Sequence, residues 1–182
     1  MKTRTRAWRV WVSERAQVDM LEASVAAHPL ETGGILVGVI GRTGKSGNRP
    51  WVTHAVAVAS RKSGLAHYEL PAQARVRAVM QLRKGDSRLG YLGDWHSHPA
   101  NVDPSWTDVS AIESISISGD CPRPLLFVIR RAQGGYVIDA RQWTGASLRH
   151  LQVCDAGPLP RPHRRRGLRQ VLSVFRGVRL AA

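Results

Sequence analysis

Cysteine is nearly absent from this chain, with Cys121 and Cys154 the two in 182 residues, which excludes a disulfide-framed scaffold. Neither has a histidine or a second cysteine at ligand spacing, so both are expected as reduced thiols. Acidic residues are also scarce, 13 against 27 basic ones, giving a formal net charge of +14. That excess favours anionic partners such as nucleic acid, acidic protein surfaces or anionic lipid, without choosing among them. No apolar run approaches the roughly 20 residues of a membrane span, and the opening Met1 to Val10 lacks the roughly 7 to 15 apolar residues of a signal peptide. A cytoplasmic protein is expected. There is no internal repeat, and the length suits one domain with an appendage: a catalytic domain over 1–156 and a Pro-rich linker with a basic tail over 157–182.

What is present is a regular alternation of strand and helix signals. Arg6 to Val12 reads as a strand, and Ser13 caps a helix running to Ala27, with Ala16, Met20, Ala23 and Ala27 as its inner stripe and Pro29 as its stop. Gly33 to Ile40 is a buried strand, Gly41 to Pro50 a hairpin loop and Trp51 to Ser60 the returning strand. Pro71 opens a helix reaching Lys84, its inner stripe and edge marked by Ala72, Val76, Val79, Met80 and Arg83. Leu89 to His96 is a strand, and Ser105 starts a helix with Trp106, Val109, Ile112 and Ile115 facing inward. Turn-rich Ser118 to Pro124 precedes the strands Leu125 to Arg130, Tyr136 to Trp143 and, last, Ala146 to Cys154. Helices interleaved with mainly hairpin-linked strands predict an α+β, or mixed α/β, layer.

The chemistry concentrates in Gly93-Asp94-Trp95-His96-Ser97-His98-Pro99 and Pro104-Ser105-Trp106-Thr107-Asp108. On a strand, residues two apart project to one side, so His96 and His98 can address a single ion while Ser97 faces the other way. Ser105, three residues before Asp108, has the spacing of a helix N-terminus that returns Asp108 toward the strand end. Two imidazoles and one carboxylate with a vacant fourth position are the ligand set of a catalytic zinc ion, since a structural site closes that position with protein.

Glu31, His96, His98, Pro99, Ser105 and Asp108 together resemble the JAMM (MPN-plus) family of zinc peptidases, whose pattern is a distant upstream Glu, then His-x-His-Pro, then Ser-x-x-Asp. Tyr91 to Pro99 is most similar to small bacterial members found in mobile elements and cyclic-nucleotide antiviral operons. The resemblance implies a curved, mainly antiparallel sheet flanked by helices, one catalytic Zn2+ held by His96, His98 and Asp108, and Glu31, in Glu31-Thr32-Gly33-Gly34, as general base. Ser105 has two readings: helix N-cap, or, by the resemblance, hydroxyl donor to the oxyanion. The substrate implied is a conjugate in which the extended C-terminus of a ubiquitin-like modifier, or of a nucleotidyltransferase, is joined to lysine or to another peptide. The implied partner is an operon-encoded ligase combining activating and conjugating modules, whose product the protein would release. A processing peptidase for a sulfur-carrier or ubiquitin-like precursor is one alternative. A basic nucleic-acid-binding module with a secondary zinc site is another.

Other residues carry weaker signals. Asp94, two before His96, is either an exposed carboxylate or a hydrogen-bond partner to a ligand imidazole. His54 and His67 lie outside the motif and read as polar loop or core histidines. Gly41 to Ser46 imitates a phosphate loop, but Val39 stands where that motif requires Gly. Leu168, Val171, Leu172, Phe175 and Val178 fall at helical spacing among Arg165, Arg169, Arg176 and Arg179. That pattern fits a basic amphipathic helix docking on an anionic partner, a terminal helix packed on its own domain, or a disordered tail.

Overall fold

The computed structural model describes residues 8–42, 48–59, 70–157 and 159. Residues 43–47 of the expected hairpin loop, the segment 60–69 with His67 and the basic tail lie outside the described residues. The elements are β1 Arg9–Val12, α1 Glu14–Ala27, β2 Gly33–Arg42, β3 Asn48–Ala57, α2 Ala72–Arg83, β4 Gly90–His98, α3 Trp106–Ser118, β5 Leu125–Ala132, β6 Gly135–Trp143, β7 Leu148–His150 and β8 Gln152–Asp155.

Ser13 starts α1 as expected, accepting the Ala16 N–H at 3.2 Å while its own hydroxyl donates to the Thr53 carbonyl at 2.8 Å. One side chain therefore begins the helix and ties it to β3. Ala16 and Met20 of the expected stripe are buried, Ala23 packs half-buried against the same core, and the third fully buried residue of α1 is Ser24 rather than Ala27. Positions four apart stay on one side of a helix, and the polar Ser24 is tolerated there because its hydroxyl donates to the Met20 carbonyl at 2.7 Å.

The strands form one mixed sheet in the order β7-β6-β5-β4-β2-β3-β1-β8. Four of its pairings are antiparallel, β2 with β3 and β4, and β6 with β5 and β7, while β1 with β3 and β8, and β4 with β5, are parallel. The expected last strand is in fact two, β7 and β8, at opposite ends of this order and separated by Leu151 alone. Leu151 N–H donates to the Ala140 carbonyl on β6, and Gln152 N–H donates to the Trp8 carbonyl beside β1. One buried residue thus bridges the two ends of the sheet, which requires the sheet to curl until they meet.

Each face of the sheet carries a core. Under α1, Ala16 and Met20 pack with Leu36, Val52, Leu92, Trp95, Phe127 and Ile129. On the other face, Val79 of α2 and Ile112 and Ile115 of α3 pack with Ile35, Val37, Tyr91, Leu126 and Val128. Fully burying side chains of this size contributes about 1.5–3 kcal/mol each, enough to hold three helices against the sheet. The expected inner stripe of α3 is corrected at its start, because Trp106 is 80% exposed while Ile112 and Ile115 are buried. Each three-residue step falls about 60° short of a full turn, so Trp106 lies about 180° around the helix from Ile115. Met80 is likewise exposed, one residue beyond the buried Val79.

Candidate metal centre

The site begins with an irregularity in β4. Leu36 pairs with Gly93 and Val37 with Tyr91, so Leu92 is an extra residue, and the alternation of β4 changes phase there. Leu92 and Trp95 both enter the α1-side core, whereas Tyr91 lies in the opposite one. The same phase change brings Asp94 to the Tyr91 side, where it accepts the Tyr91 hydroxyl at 2.7 Å. Asp94 is therefore neither freely exposed nor hydrogen-bonded to a ligand imidazole, and burial raises its pKa although Arg75 and Tyr91 oppose the rise.

Beyond the irregularity, regular alternation puts His96 and His98 on one side of β4. Both are buried, their rings 4.8 Å apart between centroids and tilted by 48°, with the two Nε2 atoms 3.0 Å from each other. His98 Nδ1 lies 3.3 Å from the Val102 carbonyl. Donating that N–H leaves the Nε2 lone pair free for a ligand role.

Asp108 arrives from α3. Ser105 is the N-cap of a complete capping box: its Oγ accepts the Asp108 N–H at 3.2 Å, and Asp108 Oδ2 accepts the Ser105 N–H at 2.6 Å and the Ser105 hydroxyl at 2.8 Å. The other oxygen, Oδ1, lies 3.2 Å from His96 Nε2, and Oδ2 is 3.6 Å from His98 Nε2. Oδ2 thus serves the cap while Oδ1 faces His96, so capping does not turn the carboxylate away from the histidines. Burial disfavours the Asp108 carboxylate, but hydrogen bonds from His96, His98 and Ser105 outweigh it and hold its pKa well below the usual range. Burial also works against protonated His98, and there Asp108, Val102 and the nearby Glu31 charge prevail and raise the pKa.

His96, His98 and Asp108 bring their donor atoms within 4.8 Å of one another, and they are the one such group of three among the described residues. The separations of 3.0, 3.2 and 3.6 Å suit a metal ion. Tetrahedral zinc with bonds of about 2.0–2.1 Å spaces its ligands roughly 3.3 Å apart. The donor types fit as well, two imidazole nitrogens and a carboxylate.

Glu31, 8% exposed, sits at the entrance of β2. Its position is fixed through the neighbouring Thr32 and Gly33: Ser97 N–H donates to the Thr32 carbonyl at 2.7 Å, Thr32 N–H donates to Ser97 Oγ at 3.0 Å, and Gly33 pairs with His96. The Glu31 charge is felt at His98. All five residues singled out in the sequence, Glu31, His96, His98, Ser105 and Asp108, therefore meet at one end of β4. His54 does not join them; its Nδ1 is 2.8 Å from Thr53 Oγ1 on β3. Cys121 and Cys154 are free thiols away from this group. Sequence reading missed the roles of Ser97, Thr32 and the Val102 carbonyl. For Ser97 a signal existed, a hydroxyl side chain at an inward position between two ligands.

Comparison with known proteins agrees with this geometry. Residues 13–159 match the family model described as prokaryotic homologs of the JAB domain. A protein of Sinorhizobium fredii, y4qB, described as a probable metalloprotease, is 29% identical over 129 residues, 66% of this chain and 74% of that protein. The solution structure of DSY2949 from Desulfitobacterium hafniense superposes with a TM-score of 0.63 at 20% identity, covering 86% of this chain and 99% of the other, and shows the same fold. With a family match over most of its length and the ligand group assembled on β4 and α3, the chain belongs to the prokaryotic JAB-domain family, and so to the JAMM (MPN-plus) class of metallopeptidases.

Proposed function

We propose that the protein is a zinc-dependent isopeptidase or peptidase that hydrolyses the bond after the extended C-terminal tail of a ubiquitin-like modifier or other conjugated protein. The observation that carries the reading is the meeting of Glu31 with the His96, His98 and Asp108 group through the Thr32–Ser97 hydrogen bonds. His96, His98 and Asp108 would hold the ion, which supplies an activated water and a Lewis acid for the scissile carbonyl. Glu31 accepts the proton released as water attacks and returns it to the departing amine, which is a poor leaving group at neutral pH until protonated. Ser105 Oγ, one turn of α3 from the ligand carboxylate, is the side-chain donor available to the developing oxyanion once its proton swings from Asp108.

The pathway assignment rests on the similarity of Tyr91 to Pro99 to members from antiviral operons, and on it the partners are a conjugating ligase and a modifier or nucleotidyltransferase. An extended tail would enter by main-chain pairing beside the site, with side-chain pockets selecting its sequence. The test is cleavage of a lysine-linked conjugate by the zinc-loaded protein and by Glu31→Gln. The variant is expected to keep zinc and lose turnover. Undiminished turnover would remove Glu31 from the reaction, and cleavage of linear fusions alone would narrow the activity to precursor processing.

A further inference from the structure

The seven residues 99–105 between β4 and α3 carry no element of their own, yet they set how Asp108 meets the two imidazoles. Their outward side chains give them little core to pack on: Val102 is 51% exposed, and the Asp103 side chain is 74% exposed. What anchors them is charge. Asp103 Oδ1 lies 2.7 Å from an Arg141 guanidinium nitrogen and 3.3 Å from one of Arg130. Neither guanidinium is an ordinary surface group, because their side chains are only 13% and 23% exposed.

Both arginines converge on Asp139, whose side chain is 3% exposed. Arg141 bonds it through two nitrogens at 2.8 to 3.2 Å, Arg130 Nε is 3.7 Å away, and His150 Nδ1 is 3.2 Å from its other oxygen. Cross-strand register places these groups beside the ligands. His96 pairs with Val128 and Val128 with Asp139, and His98 pairs with Arg130, so Asp139 and Arg130 lie in the same cross-strand rows as the two imidazoles. Asp139 alone faces two guanidiniums, and Asp103 supplies the second carboxylate that balances them. Such an arrangement differs from a floppy surface ion pair. The arginines are already fixed by a buried partner, so only the Asp103 side chain must be ordered to complete it.

Asp103 directly follows Val102, whose carbonyl faces His98 Nδ1 at 3.3 Å. We infer that Asp103 is a positioning residue: by clamping the 99–105 loop to Arg141 and Arg130 it holds the Val102 carbonyl against His98 Nδ1, and so aims His98 Nε2 at the metal. It acts through the loop and through an outer partner of a ligand, the kind of contact whose loss typically lowers metal affinity about 10–100-fold. Removing its charge also leaves an uncompensated guanidinium near a site that must attract a cation, which works in the same direction.

The inference rests on the metal-site reading, and its test does not require peptidase activity. Zinc affinity is measured on the full chain by competition with a chromophoric chelator, alongside the visible absorption spectrum of the cobalt(II)-substituted protein and melting of the metal-free protein. Asp103→Asn is expected to weaken zinc binding by about 10-fold or more. It should also alter the cobalt bands, which report ligand geometry, while leaving the metal-free Tm close to that of the parent. Asp103→Glu, which keeps the charge, is expected to recover most of the affinity. Unchanged affinity and cobalt bands in Asp103→Asn would overturn the clamp, as would a loss matched by an equal loss of metal-free stability or shared in full by Asp103→Glu. Failure of the parent protein to bind zinc would overturn the metal-site reading itself.

Discussion

Ser97 and Thr32 are joined by a reciprocal pair of hydrogen bonds, Ser97 N–H to the Thr32 carbonyl at 2.7 Å and Thr32 N–H to Ser97 Oγ at 3.0 Å. Ser97 stands between His96 and His98 and Thr32 directly follows Glu31, so this pair ties the Glu31 end of β2 to the strand that carries the two histidines. Ser97→Ala removes the acceptor of the Thr32 N–H in a buried place, which should cost about 1–3 kcal/mol of stability. Turnover should fall further than stability alone explains, because Glu31 loses one of its two tethers, while zinc content stays that of the parent. Parallel measurement of metal content, melting and turnover checks this. Full turnover in Ser97→Ala would show that the tether is not what places Glu31.

Ser105 presents two separable roles in one hydroxyl. As N-cap it accepts from Asp108 N–H, and as donor it bonds the Asp108 carboxylate. Loss of the cap in Ser105→Ala should cost about 0.5–2 kcal/mol. Loss of an oxyanion donor should lower single-turnover rate by about 100-fold or more. Both effects are expected together, and a variant that melts earlier but turns over at the parental rate would leave Ser105 as a cap alone.

The helix start at Ser13, the strand carrying the histidines and the N-cap at Ser105 were all legible, because each depends on residues within one turn or one strand. The features that were not legible depend on partners far along the chain. The split of the last strand at Leu151 comes from closure of the whole sheet, with Ala140 and Trp8 receiving the bonds on either side. The change of phase at Leu92 and Gly93 exists only relative to β2, so spacing alone gave Asp94 the wrong company. Trp106 was placed inward because steps of three look helical over short stretches, and the drift of such steps appears only by Ile115. Asp103 gave no local signal, its partners lying 27 and 38 residues away.

The stability of the metal-free protein and the increment that zinc adds to it should vary with pH in opposite directions. His98 has a folded pKa above its ordinary 6.5, so its contribution is complete below that value and is lost as pH rises through the raised one. Asp108 has a folded pKa below its ordinary 3.8, so its contribution is present above that value and lost as pH falls through the depressed one. Together they favour the metal-free fold between 3.8 and 6.5. Zinc must displace the His98 proton, so the increment in Tm on adding zinc should grow as pH rises through the raised His98 value. Melting with and without chelator across about pH 5 to 8 measures both slopes. An increment independent of pH would exclude His98 as a ligand that must shed a proton.

The phase of β4 is the feature on which the ligand geometry depends, and Gly93 is the residue that permits it. Its φ of +152° is one that L side chains rarely adopt, and a Cβ there would lie 2.0 Å from the Leu125 carbonyl oxygen and 2.5 Å from the Leu125 nitrogen. These are backbone atoms of the paired strand β5, so no side-chain rotation relieves the contact. Either β5 moves away, opening a parallel pairing that continues beside both histidines, or β4 rotates and turns the histidines with it. Gly93→Ala is therefore expected to destabilise by about 3 kcal/mol or more. Whatever fraction folds should bind zinc weakly. Gly90, in the same strand, is the control: a Cβ there meets nothing within 4 Å, and Gly90→Ala should change stability by less than about 1 kcal/mol with zinc binding intact. If Gly93→Ala melts and binds zinc as Gly90→Ala does, the close approach of β5 does not hold β4 in phase, and the presentation of His96 and His98 must depend on the α3 side of the site alone.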